Sequence, residues 1–211
     1  MTRALIIGAG IVGAACAEAL TRRGAEVVVV DRNPVGSGTT SRGEGNILVS
    51  DKGPGAELAL AQLSRAAWLE VGDLLGRDRI ELEEKGGVVV AQTTSGLESL
   101  HAFAGAQRRA GVTALDVADP RVLEPHLAPD VPGAVHYPED MQVQPVLAAA
   151  ALLAAAVDRG ATFRAGVDAA AAVTDLDGSV SGIRTASGEV LEADVIINAS
   201  GTWGGEVSER L

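Results

Sequence analysis

Rings are scarce in this 211-residue sequence: aromatic residues are 2% of it, and Trp68, Trp203, Tyr137, Phe103 and Phe163 are all it has. That is too few for an aromatic cage built from this chain alone. A single cysteine, Cys16, excludes an internal disulfide and any multi-cysteine metal site. Inside a helix-forming run it reads as a small core residue. His101, His126 and His136 show no ligand spacing, Glu83 and Glu84 read as a solvated charge run, and no Ser/His/Asp triad is visible. Lysine and arginine nowhere cluster, and the net charge is −11, which argues against a nucleic-acid or anionic-membrane partner. No apolar run reaches the length of a membrane span, the Ala-rich 146–157 stretch included. A cytoplasmic location is the default expectation. What the chain has in quantity is apolar residues, 47%, enough to build a core for one large or two small domains.

It also has glycine in a telling arrangement. The stretch ALIIGAGIVGAACAEALTRRGAEVVVVDR, opening at Ala4, runs from an apolar segment through Gly8, Gly10 and Gly13 into a helical stretch, a second apolar segment and Asp31. Gly8 permits a tight turn out of the first strand, Gly10 lets the backbone approach a pyrophosphate, and Gly13 lets the helix pack against the sheet. A diphosphate would then sit on the unpaired N–H groups and positive dipole end of a helix starting near Ile11. Asp31 falls where a second strand ends and where a carboxylate can bind ribose hydroxyls; it would repel a 2′-phosphate, so NADP is disfavoured. Arg32 argues the other way, although an adenine-facing or solvent role suits it equally. The apolar opening is no signal peptide, because glycines break it and Arg22, Arg23 and a further apolar run follow.

Further along, basic residues ahead of Gly24 predict the end of the first helix, and Glu26 to Val30 reads as the second strand. NPVGSGTTSRGEGN is too polar for a core element and reads as a long loop near the nucleotide. Leu60, Leu63, Ala67, Val71 and Leu74 recur at helical spacing from Gly55 to Gly76, a stripe read, with Trp68, as core. Gly86 to Gln92 predicts a strand, and Ser95 with Glu98 a capping box for a helix to about Gly111. The proline-rich 119–133 piece holds turns and leads to a strand at Ala134 to Tyr137. Pro145 opens a helix closed by Gly160. Thr162 to Arg164, Val167 to Thr174, Val180 to Thr185 and Glu189 to Leu191 read as an antiparallel meander around Asp177-Gly178 and Ser187-Gly188. The strand Asp194 to Asn198 ends in Ala199, Ser200 and Gly201, small residues that let a ligand lie against the backbone.

These pieces in this order resemble the FAD-dependent amino-acid oxidase family, which includes D-amino-acid oxidase, glycine oxidase, sarcosine oxidase and the flavin subunits of hydroxyproline dehydrogenase, opine oxidase and hydrogen cyanide synthase. The resemblance covers nearly the whole chain through GAGIVG at 8–13, Asp31-Arg32, GSGTTSRGEGN at 36–46, GGVVVA at 86–91, LEPHLAPD at 123–130, MQVQP at 141–145 and INASGTW at 197–203. It implies that Gly8, Gly10, Ile11, Val12 and Gly13 hold the FAD pyrophosphate, Asp31 the ribose and Arg32 the adenine side. It further implies that Thr39, Thr40 and Ser41 meet the phosphates and ribityl chain, that Gly45, Asn46 and Ile47 pass beside the isoalloxazine, that the Ala169 backbone addresses adenine, and that Ala199, Gly201 and Trp203 complete the site. Arg42 stands where some members tether the flavin through histidine, so non-covalent FAD is expected. Gln144 replaces an acid usual in the family. Arg42 and Glu44 are the candidates for the reactive face.

The expected architecture is α/β: a Rossmann-like FAD-binding domain with a three-stranded β-meander, residues 1–78 and 142–211, plus part of an inserted α+β substrate lobe, 79–141. The resemblance implies oxidation of the CH–NH bond of an amino acid or secondary amine, the cofactor carrying the chemistry and the protein positioning the substrate. Family members are nearly twice as long, so an N-terminal portion is expected, completed by a C-terminal half or a partner subunit. Two other readings stand beside it: a catalytically silent nucleotide-binding fragment, and an NAD-dependent dehydrogenase. The latter fits the first fingerprint but not the second Gly-rich loop or INASGTW.

Overall fold

β1 (Arg3–Ile7), α1 (Ile11–Arg22) and β2 (Glu26–Asp31) form the βαβ unit that the opening residues predict. β1 is buried on both faces from Ala4 to Ile7, as a strand inside a parallel sheet must be. Arg22 occupies the last turn of α1, and Gly24, at φ +81°, supplies the left-handed turn that stops it. The computed structural model describes residues 1–211 and divides into two units, 1–44 with 144–211, and 45–143.

The 45–143 unit contains β3 (Asn46–Ile47), α2 (Ala56–Leu75), the short α3 (Arg77–Ile80), β4 (Gly87–Val90), α4 (Thr94–Arg109), β5 (Leu115–Val117), β6 (Ala134–Tyr137) and β7 (Met141–Gln142). β4, β6 and β5 make an antiparallel sheet in that order, and β3 pairs antiparallel with β7. Val135 and Tyr137, two apart and so on one face of β6, pack with Leu58 of α2 and Ala104 of α4 around Val49, Val112 and Ala114.

Three expectations need correction in this unit. The division falls at 44/45 rather than 78/79, because Leu58 seals α2 against α4 and β6. The α2 stripe read as core points outward: Leu60, Leu63 and Leu74 are 67%, 70% and 44% exposed. The buried side runs through Leu58, Gly72 and Leu75, and Gly72 is what admits Leu82, whose Cδ2 lies 2.4 Å from where a Cβ would stand. The cap of α4 is Thr93, which accepts from Gly96 N at 3.1 Å, in place of the Ser95–Glu98 pair.

The chain then re-enters the first unit through α5 (Pro145–Asp158), β8 (Thr162–Ala165), β9 (Ala169–Thr174), β10 (Val180–Thr185), β11 (Val190–Glu192), β12 (Val195–Asn198) and α6 (Gly204–Arg210). Gln144 caps α5 by accepting from Leu147 N at 2.9 Å, a neutral substitute for an acid at that place. The parallel sheet has the order β12-β1-β2-β8. Thr162–Arg164 therefore belongs to this sheet and not to the meander, because the α5 crossover returns the chain parallel to β2. The meander is β11-β10-β9. Leu5 and Ile7 face it, packing with Val30, Ala169, Ile183 and Val207. Ile6 faces the other way, toward Gly13 of α1, and the alanine-rich surfaces of α1 and α5 meet on that side. No helix is long and apolar enough to cross a membrane, and no cluster of potential metal ligands is present.

Candidate functional site

The carboxyl ends of β1, β2 and β12 open onto a cleft of about 390 Å³ in the first unit. Its floor is the turn between β1 and α1. Gly8 takes φ +109°, and a Cβ there would stand 2.4 Å from the Ala199 carbonyl oxygen, so the first strand and the last one touch through backbone. Gly13 is as tightly enclosed: its Cβ would lie 1.9 Å from Gly8 O, so α1 packs directly on the turn. α1 has neither an acidic residue in its first turn nor a side-chain cap on Gly10. The positive end of the helix dipole thus faces the cleft without an anion of its own, which fits a diphosphate.

Two further backbone stretches converge on that turn. Thr39–Arg42 forms one 3₁₀ turn in the Gly-rich loop, and Thr40 Oγ1 accepts from Ile11 N at 3.0 Å. A Cβ on Gly10 would be 3.0 Å from the same Thr40 oxygen, and one on Gly201 would be 3.4 Å from Thr39 Oγ1. Loop, helix start and strand end are therefore held within side-chain reach of one another. Asp31 ties the floor together: Oδ2 accepts from Ala9 N at 2.7 Å and Oδ1 from Asn33 N at 2.8 Å. Each of its oxygens keeps a lone pair for ribose hydroxyls. On the wall, the Arg32 guanidinium lies over the Trp203 ring, and the same indole covers Gly38. Asp168, Glu206 and Arg210 form an ionic rim, with Arg210 Nη1 3.8 Å from Asp168 and Nη2 bonded to Glu206.

Of the residues singled out in the sequence, Gly8, Gly10, Ile11, Val12, Asp31, Arg32, Thr39, Thr40, Ala169, Ala199, Gly201 and Trp203 line this cleft. Val12 shows an apolar side chain 62% exposed at the mouth. Gly13 lies behind the turn, and Ser41 turns its hydroxyl into its own loop, onto Ser37 O and Gly38 O. Gly45, Asn46 and Ile47 belong to the other unit. There Val143 N donates to Gly45 O at 2.9 Å, Asn46 and Ile47 pair with β7, and Asn46 lines a separate cleft of about 420 Å³ with Leu48, Gly86 and Met141. The exposed Arg42 lines neither cleft. Ser200, named with Ala199 and Gly201 at the strand end, also lines the cleft. Sequence reasoning missed Ser37, Gly38 and the Asp168–Glu206–Arg210 rim. The first two stand inside a motif already singled out, whereas nothing in the sequence signals that α6 folds back over the cleft.

Sheet, crossover and glycine turn together define a Rossmann-type α/β protein with its cleft at the strand ends. Residues 3–211 match the family described as FAD dependent oxidoreductase, and the chain belongs to that family. It is 30% identical over 214 residues to a subunit of the anaerobic glycerol-3-phosphate dehydrogenase of Escherichia coli K12, covering 97% of this chain and 38% of the relative. It is also 30% identical over 216 residues to glycine oxidase of Geobacillus kaustophilus, covering 98% of this chain and 56% of the relative. The solved structure of glycine oxidase from Bacillus cereus superposes with a TM-score of 0.89 at 25% identity, covering 99% of this chain and 58% of that one. The chain thus spans roughly two fifths to three fifths of the length of the relatives it matches.

Proposed function

We propose that this chain binds FAD non-covalently and is the cofactor-holding part of an oxidoreductase acting on the CH–NH bond of an amino acid or secondary amine. The observation that carries the reading is the convergence on one turn of Gly8 with Ala199, Gly10 with Thr40, and Gly201 with Thr39. Glycine at these three places keeps any Cβ out of the turn, so the Ala199 backbone and the Thr39 and Thr40 hydroxyls come up to it and its N–H groups face the cleft, a surface that suits a diphosphate. Gly8, Gly10, Ile11, Val12 and Thr40 hold the diphosphate, with Gly13 shaping the turn behind it. Asp31 takes the adenosine ribose, Arg32 and Trp203 with the Ala169 backbone the adenine end, and Thr39, Ala199 and Gly201 the ribityl side, with Ser41 bracing the loop that carries Thr39 and Thr40. When bound, FAD would supply a two-electron acceptor for oxidation of the substrate C–N bond. The protein's part is to hold the cofactor and to exclude competing ones, and the Asp31 carboxylate disfavours a 2′-phosphorylated nucleotide.

A second reading, oxidation of an alcohol carbon in a phosphorylated polyol, is favoured by the 30% identity to the glycerol-3-phosphate dehydrogenase relative. Because that relative is itself one subunit, a partner chain is part of the proposal. Titration of the chain with FAD and with NAD tests the cofactor: FAD binding tighter than NAD is expected, and the reverse order overturns the assignment. Turnover of glycine, sarcosine and D-amino acids against glycerol 3-phosphate, with a dye as electron acceptor, separates the two substrate classes.

A further inference from the structure

Val167, Asp168 and Ala169 line part of the first unit's cleft, and their backbone is fixed from three directions. Val167 N donates to Asp31 O at 3.0 Å, which ties the approach to β9 to the residue that ends β2. Asp168 O accepts from Ala186 N at 2.9 Å. Ala169 is 2% exposed and packs with Leu5, Ile7 and Val207. Asp168 is therefore immobilised one residue beyond the bond to Asp31, and its side chain, 45% exposed, belongs to the cleft lining.

The side chain is oriented without being used up. Arg210 Nη1 stands 3.8 Å from Asp168 Oδ1, an ion pair too long for a hydrogen bond. Arg210 is itself bonded through Nη2 to Glu206, one turn earlier in α6, and Val207 seats that helix in the apolar cluster that holds Ala169. An exposed pair at such a distance adds little to stability. What it does is set a carboxylate in the cleft with both oxygens able to accept. Facing a purine, an ionised carboxyl group accepts and cannot donate, so it suits an exocyclic amino group and opposes a carbonyl; adenine carries N6–H₂ where a 6-oxopurine carries O6.

We propose that Asp168 reads the base of the bound nucleotide by accepting from the adenine N6 amino group, and that Arg210 and Glu206 are positioning residues for it. The inference rests on reading Asp31 as the ribose partner and the Ala169 backbone as the adenine partner. A base hangs directly from its ribose, so the side chain that reads it has to be anchored close to Asp31, and the Val167–Asp31 hydrogen bond anchors Asp168 there. Asp31, Asp168, Glu206 and Arg210 all belong to the 1–44 and 144–211 unit.

The test titrates the whole chain with ADP and with IDP, whose purines differ at position 6, using the wild type, Asp168→Ala, Asp168→Asn and Arg210→Gln, each checked for folding by circular dichroism. The wild type is expected to bind ADP about tenfold more tightly than IDP, the low end for a hydrogen bond to a charged group because Asp168 is partly exposed. Asp168→Ala should weaken ADP binding and erase most of that preference. Asp168→Asn, whose amide also donates, should bind IDP more tightly than the wild type does, a gain that a merely structural residue would not give. Arg210→Gln should narrow the preference without removing it. A folded Asp168→Ala protein with the wild-type ratio of ADP to IDP affinity overturns the proposal, as does a wild type with no preference, and if Asp168→Ala fails to fold, the IDP affinity of Asp168→Asn decides it. A chain that binds neither nucleotide overturns the adenine-end assignment and this inference with it, whereas ADP binding with the base preference but no uptake of FAD overturns the flavin reading alone.

Discussion

Arg32 and Trp203 lie face to face, the guanidinium carbon 4.6 Å from the centroid of the indole ring. The two come from opposite ends of the sequence and meet on the cleft wall because β2 and β12 flank the same strand. A partly exposed stack of this kind is worth about 0.5–1 kcal/mol. With only Trp68 as a second emitter, FAD binding should quench Trp203 fluorescence, and Trp203→Phe should remove most of that change. A titration in which the variant loses as much emission as the wild type would take Trp203 out of the site.

Asp31→Ala should weaken FAD binding by about 1–3 kcal/mol through lost charge-assisted hydrogen bonds. Part of that loss arises in the turn itself, since the carboxylate also holds Ala9 N and Asn33 N. Asp31→Asn keeps an acceptor oxygen and should fall between the two. Calorimetric titration measures the affinities; equal values for all three proteins would deny Asp31 a place at the cofactor.

Gly13→Ala puts a methyl group 1.9 Å from Gly8 O, a contact only backbone movement can relieve. The expected loss in urea unfolding is about 1–3 kcal/mol or somewhat more. Gly205→Ala is the control, since its Cβ meets nothing within 4 Å and it lies in α6. There alanine should stabilise by up to about 0.5–1 kcal/mol through helix propensity.

Burial, with a smaller contribution from the nearby Asp140 carboxylate, pushes the Tyr137 hydroxyl above its ordinary value of 10.0. A raised folded value means that the stability tied to the neutral phenol is complete below pH 10 and is lost as pH climbs through the folded value. Tyr137 is the chain's one tyrosine, so phenolate absorbance reads it directly. Thermal unfolding of Tyr137→Phe should show a flatter alkaline limb. An alkaline limb identical to that of the wild type would contradict the assignment.

The elements read correctly from the sequence are those whose signals are local. Gly24 and Gly160 stop α1 and α5 by adopting positive φ, and Pro145 starts a helix wherever it lies. The α2 stripe shows the opposite case. Its apolar residues fit two helical faces, and only the packing of Leu82 into the gap at Gly72 decides which one is buried. Thr162–Ala165 looks like meander when neighbours alone are considered, but its partner is β2, more than a hundred residues earlier. In the cleft, the glycines, Asp31 and the strand end were legible because steric exclusion leaves glycine at fixed spacings. The hydrogen bonds from Asp140 and Gln107 to the buried backbone at 49–52 were not, because they join side chains to a segment 55 to 91 positions away, and no periodicity records such a link.

The order β12-β1-β2-β8 seats β12 beside β1, although the whole 45–143 unit and the meander lie between them in sequence. During synthesis one edge of β1 stays bare until Val195–Asn198 has emerged, so its four ladder positions wait on all the elements in between. The Gly8 turn acquires its Ala199 wall only with that strand, so the cleft at the strand ends takes shape long after the glycine turn that floors it has been made.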